Sequence, residues 1–285
     1  MALSGMLFFL GIEHVKQQTC FSFIKNKFCK LMVPFILTNI LYLAPIRYIT
    51  HYYPNNFLIG VLDGQFLLHG NNYLWYLEAL FVISVIAFFL EAILKLDRII
   101  IFFIMFLLSL CRVNAPSLLY SALEDGFWFY FGFLFAAERI SINAKIRQHP
   151  FIITVLSWVG LIITKFLTSY GIGDSTFIYY LTGFLGIIAT YSASYLLVQN
   201  PSIRNNTLIS YLACNGLYLY IFSDPLNGLI NYIAATNIGL IVFSNNLYSL
   251  ILHIVKFFVT ATVPLFLAYL ISKVKQAAKS TKLLL

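Results

Sequence analysis

Long apolar runs separated by short charged stretches set the rhythm of this chain from end to end. About 20 mainly apolar residues cross a bilayer as a helix. By that measure spans fall at roughly 31–50, 73–94, 97–114, 119–137, 150–170, 176–198, 208–235 and 247–271. No run alternates apolar and polar positions with period two, as an outer-membrane strand does. The third span is short, with its core at Ile99 to Leu110. The seventh is expected to break at Asp224–Pro225, where proline removes a backbone donor. Residues 1–12 are also apolar, but at ~1.5 Å per residue they cover only about half a bilayer. The pattern predicts an all-α, polytopic integral membrane helical bundle: about eight full transmembrane helices plus an N-terminal half helix.

Composition sharpens this. The chain is 61% hydrophobic and 10% charged, against roughly 45–50% and about 25% for soluble domains. Such a chain cannot cover its exterior with polar groups, so lipid is its first partner. A net charge of +8 suggests nucleic acid in a soluble protein. Here its distribution gives another meaning, and no nucleic-acid partner is expected. Fourteen of the eighteen Lys and Arg fall in alternate loops and the C-terminal segment, all on one side of the predicted bundle. The positive-inside rule then puts loop 13–30 and the C-terminus in the cytoplasm of a multi-pass protein of the cell membrane. The four cysteines have unrelated spacings and no metal-ligand pattern, so no metal is expected. No oligomeric state follows from the sequence.

With 13–30 cytoplasmic, residues 1–12 read as the inner half of a helix descending from outside. No basic stretch precedes them, unlike a signal peptide. The expectation is a chain lacking one whole helix and the outer half of the next. The alternative is that 1–12 lies in the interface as an anchor. Residues 1–285 then form a single transmembrane domain, with 272–285 as a basic cytoplasmic tail.

Ionisable groups within a bilayer cost ~2.5–3.5 kcal/mol each on insertion scales, so each invites a functional question. Asp224 and Lys256 lie at similar depths on neighbouring spans, and His253 is three residues from Lys256 on the same helical face. They suit either a polar reaction chamber or a structural ion pair. Glu78 follows Trp75 and Tyr76 by one turn near the outer surface. It suits a sugar hydroxyl, or else it is a snorkelling carboxylate beside an aromatic belt. Lys25, Lys27 and Lys30 cluster at a helix N-terminus, where ammonium groups and the dipole hold phosphates, or where charge merely sets topology. His51 and His69, in the outer loop 51–72, read as solvated; His14 and His149, on the cytoplasmic side, are assigned no role.

Three stretches in order resemble the membrane acyltransferase-3 family. Phe23-Ile24-Lys25-Asn26-Lys27-Phe28-Cys29-Lys30-Leu31-Met32-Val33-Pro34-Phe35 is similar to its basic loop leading into an L-x-x-P-(Y/F) helix start. Asn72-Tyr73-Leu74-Trp75-Tyr76-Leu77 is similar to its (H)-L-W-(F/Y)-L span start. Leu217-Tyr218-Leu219-Tyr220-Ile221-Phe222-Ser223-Asp224-Pro225 is similar to its (I/L)-Y-L-(F/L)-H-x-P segment, and Ser4-Gly5 to an S-G late in its second helix. The resemblance implies ten helices with both ends cytoplasmic, of which eight and a half match the spans above. It implies transfer of an acyl group, most often acetyl, from acyl-CoA to a hydroxyl of an extracytoplasmic glycan or lipid-linked saccharide, as in O-acetylation of cell-envelope polysaccharide. It assigns the donor (acetyl-CoA) to Lys25, Lys27 and Lys30, and the acceptor to Tyr73, Trp75 and Glu78. The family's general base is a His. Tyr73 and Ser223 stand at two family His positions, and the His of its first helix has no counterpart here. The catalytic residues are therefore unassigned, with Asp224, His253 and Lys256 as polar candidates, and weak or no transfer is expected from residues 1–285 alone. The competing class is a polysaccharide-pathway transporter or polymerase, or a non-catalytic membrane subunit, using the Asp224–Lys256 region as a path.

Overall fold

The computed structural model describes residues 1–50, 74–110, 117–171, 175–237, 239 and 246–282, with backbone alone at 117–121, 175, 224, 246 and 274–282. Among these residues every regular element is a helix. Helices α1 (Ala2–Leu10) and α2 (Ile12–Lys16) are followed by α3, a continuous rod over Cys20–Ile49. Then come α4 (Trp75–Ile93), α5 (Arg98–Leu110), α6 (Ser117–Ala137), α7 (Arg139–Gln148) and α8 (Pro150–Ser169). The chain ends with α9 (Ser175–Val198), α10 (Pro201–Arg204), α11 (Thr207–Cys214), α12 (Gly216–Asn237) and α13 (Asn246–Lys282).

Helical elements occupy all eight expected spans, but they are not equivalent. Among the described residues five are long and apolar enough to cross a membrane: Cys20–Ile49, Trp75–Ile93, Pro150–Ser169, Thr176–Val198 and Leu247–Lys273. Helix α5 is described over 13 residues, about 20 Å of rise. The seventh span breaks at a different place from the one the sequence suggests. Pro225 lies inside the continuous α12, and the interruption falls at Asn215, between α11 and α12. There the Tyr211 carbonyl accepts both the Asn215 backbone N–H at 3.1 Å and the Asn215 side-chain amide at 2.8 Å. A proline is tolerated in a membrane helix because neighbours take up the freed backbone groups. Near Pro225, the Tyr42 hydroxyl donates to the Phe222 carbonyl at 3.1 Å.

Two prolines also shape α3. Pro34 and Pro45 each follow a π turn, at Phe28–Met32 and Asn39–Leu43. The wider turn gives room where a proline ring presses on the carbonyl four residues back. A third π turn, Phe89–Ile93, ends α4.

Residues 1–12 form part of the bundle interior. Gly5 sits against the backbone carbonyl of Phe129 and Gly132 against the backbone of Ala2, so α1 and α6 approach as closely as small residues permit. Phe8 packs edge-on to Phe129 at 5.5 Å, and Phe23 stacks on Phe88 at 4.4 Å. These contacts bury Gly5 and Phe8. Helix α9 is tied to this core by a 2.5 Å hydrogen bond between Ser109 and Tyr180, and by Trp128 donating to Tyr179 at 3.3 Å. Helices α8 and α9 pack together, as do α12 and α13. Outward-facing residues such as Phe151, Ile162 and Phe257 are exposed, as a lipid-facing surface requires.

Candidate functional site

The three family-like stretches lie far apart in sequence and meet in one place. Phe35 of α3, Leu74 and Leu77 at the start of α4 and Ile221 of α12 form a single buried cluster. The Ser4-Gly5 pair joins it, because the Ser4 and Tyr76 hydroxyls are hydrogen-bonded at 2.6 Å. Tyr76 in turn stands edge-on to Tyr220 at 5.6 Å.

Directly beside this junction a cavity of about 380 Å³ runs between α1–α2, α3 and α4. Its walls carry Lys27, Lys30, His14, Gln18 and Asn26, together with Ser4, Leu7, Leu80 and Ser84. From Ser4 to His14 is ten residues, about 15 Å of helix rise. The cavity therefore follows most of the length of α1 and α2. The first π turn of α3 begins just after Lys27 and contains Lys30. The Lys27 ammonium is half-buried over the Phe8 and Phe23 rings, at 5.5 and 5.7 Å from their centroids. Ser84 is fully buried and its hydroxyl has no hydrogen-bond partner among the described residues. A free hydroxyl in the wall can donate to or accept from a guest. The arrangement offers ammonium groups for a polyanion and hydroxyl groups for the rest of a guest within one cavity.

Lys27 and Lys30 are thus brought together, whereas Lys25 is exposed and does not line the cavity. Tyr73, His51 and His69 lie outside the described residues. Trp75 is partly exposed, in keeping with an aromatic belt. Glu78 does not snorkel: it is 3% exposed, and its Oε2 has no partner among the described residues. The side chain of Asp224 lies outside the described residues, so its pairing with Lys256 is not described. His253 faces outward with its Nδ1 at 2.6 Å from the Ser249 carbonyl, while Lys256 is half-buried. Among the described residues these two do not join the cavity.

Sequence reasoning missed His14, Gln18, Asn26 and Ser84. The signal was present: Ser4, Gly11, His14 and Gln18 recur at helical spacing, as do Tyr76, Leu80 and Ser84. It also missed Asn39, which is fully buried with neither side-chain atom partnered among the described residues. Among the described residues no group of three or more His, Cys, Asp or Glu could hold a metal ion.

No curated protein and no solved structure matches the chain. One family model does, over residues 1–273, nearly the whole length, and its description is an acyltransferase domain. That match includes the four stretches whose side chains converge beside the cavity, and by it the chain belongs to the acyltransferase-3 family of membrane proteins.

Proposed function

We propose that the protein takes an acyl group, acetyl in the simplest case, from acyl-CoA held in the Lys27–Lys30 cavity and passes it to a hydroxyl of a glycan or lipid-linked saccharide on the opposite face. The observation that carries this reading is the cavity itself, whose lining brings the Lys27 and Lys30 ammonium groups together with the Ser4 and Ser84 hydroxyls. A CoA thioester has matching parts, a charged nucleotide head and a slender pantetheine arm ending in the acyl carbon. Lys27 and Lys30 hold phosphates as point charges. Ser84 offers its unpartnered hydroxyl to the arm or the thioester carbonyl. In the transfer, the acceptor oxygen attacks the thioester carbonyl, a C–O bond forms and the C–S bond breaks. CoA leaves as the thiolate and takes up the proton given up by the acceptor. Trp75 and the inward-turned Glu78 stand at the acceptor end, beside the Ser4–Tyr76 link.

The competing transporter reading gains nothing from His253, which faces outward and bonds its own helix. Acetyl-CoA binding to the purified chain separates the two classes. Lys27→Gln and Lys30→Gln are each expected to weaken binding by about tenfold, the worth of a hydrogen bond to a charged group. Lys25→Gln, outside the cavity, leaves it near the original value. Membranes carrying the chain are then assayed for acyl transfer to a glycan. Absence of any CoA affinity in the unmodified chain overturns the proposal.

A further inference from the structure

A second cavity, of about 690 Å³, opens at the same end of the bundle and shares no described lining residue with the first. His14 lines one and Lys16 the other, on opposite sides of α2. The second lies where α4 ends and α5 begins, walled by Lys16, Glu91, Lys95, Asp97 and Arg98.

Its charges are of both signs, and some are already engaged. The Arg98 guanidinium lies 5.5 and 5.4 Å from the ring centroids of Phe9 and Phe133, with its Nε 3.7 Å from Glu91 Oε2. Asp97 accepts the Ile99 backbone N–H at 2.8 Å and so caps α5. Lys16 has a loose, exposed contact with Glu13 at 3.8 Å. Lys95 sits on the short turn between the helices, with φ 51. Glu91 is different. It belongs to the π turn that ends α4, it is 5% exposed, and its Oε1 has no partner among the described residues. A buried carboxylate oxygen left open is costly and calls for a donor.

A simple anion suits Lys16 and Lys95 but leaves Glu91 unsatisfied and repelled. A simple cation does the reverse. A phosphate with an ammonium group two carbons away meets both needs. The surroundings indicate where such a group comes from: Leu94, Ile99 and Ile100 beside the cavity are exposed apolar residues, a surface suited to acyl chains. We propose that this cavity binds the headgroup of an aminophospholipid of the phosphoethanolamine class, with its phosphate at Lys16 and Lys95 and its ammonium at Glu91.

The test is lipid retention by the full chain in detergent, read by native mass spectrometry. The probes are phosphatidylethanolamine, its mono-, di- and trimethylated forms, and phosphatidylglycerol, all with the same acyl chains. Retention is expected to fall stepwise as methyl groups replace N–H donors, by about tenfold across the series, with phosphatidylglycerol also below phosphatidylethanolamine. Glu91→Gln is expected to flatten the methylation series. Lys16→Ala combined with Lys95→Ala lowers every member alike. Equal retention of the ethanolamine and trimethylated lipids by the unmodified chain overturns the proposal, even where Glu91→Gln fails to fold. So does phosphatidylglycerol held as tightly as phosphatidylethanolamine, which marks a plain anion patch. Displacement of the lipid by an equal concentration of soluble phosphoethanolamine, or of CoA, likewise overturns it.

Discussion

Gly11 provides a way to close the first cavity from within. It ends α1 with φ −98 and ψ 4, a conformation open to any residue. A Cβ placed there meets only the Leu7 and Phe8 carbonyl oxygens, each at an ordinary 3.8 Å. Gly11 also lines the cavity, between Leu7 and His14, each about one helical turn away. In Gly11→Leu, four carbon groups at roughly a liquid water's ~30 Å³ each would take up about 120 Å³. That is near a third of the approximately 380 Å³ present. Crowding a guest in a cavity so filled costs roughly 1–3 kcal/mol, as overpacking does, or about five- to 150-fold in affinity. The fold should not suffer, because leucine has a better helix propensity than glycine by somewhat under ~1 kcal/mol. The assay is equilibrium binding of labelled acetyl-CoA to the purified protein, with thermal unfolding in parallel. Gly228→Leu is the control, since a Cβ there meets nothing within 4 Å and the residue does not line the cavity. A folded Gly11→Leu protein that binds acetyl-CoA with unchanged affinity refutes the assignment of this cavity to the donor.

Three other expectations test the frame around the site. Gly5→Ala drives a methyl group into the Phe129 carbonyl and should destabilise the bundle by roughly 1–3 kcal/mol or more, seen as a lowered Tm in detergent; an unchanged Tm shows that α1 does not pack on α6 as described. Removing the Ser4–Tyr76 hydrogen bond by Ser4→Ala or Tyr76→Phe should cost on the order of 1 kcal/mol. A double-mutant cycle in denaturant should show the two changes to be non-additive. Ser84→Ala removes an unpartnered hydroxyl, so it should leave Tm near its original value while raising KM or Kd for the donor; a purely structural serine would move Tm and leave donor binding alone.

Much of the fold is legible in the sequence, because in lipid the backbone has few alternatives to the helix. Apolar run lengths place eight helical positions, and each one is occupied. What run lengths do not convey is the state of each helix. The seventh span breaks at Asn215 and not at Pro225: the proline lies inside a continuous helix, and at the break the Asn215 side chain donates to the Tyr211 carbonyl of its own helix. The site was legible in halves. The lysines stood out as charges, and Lys27 and Lys30 do share a cavity, but nothing local distinguishes them from Lys25, which the turn of α3 leaves outside. Ser84 became informative only through burial: a serine in an apolar run reads as a small residue until its hydroxyl is seen to lack a partner. His14 was read as a loop histidine because the continuation of α1 into α2 was not anticipated, and with it the face shared with Ser4 and Gly11.

The most direct test of the account is photolabelling of the full chain in membranes with an acyl-CoA analogue bearing a diazirine on its acyl group, followed by mapping of the labelled residues. The acyl end is predicted to mark the wall of the first cavity, at Ser4, Leu7, Leu80 or Ser84, with labelling suppressed by excess acetyl-CoA and weakened in Gly11→Leu. Label that excess acetyl-CoA does not suppress, or specific label confined to α13 around His253 and Lys256, would contradict the account.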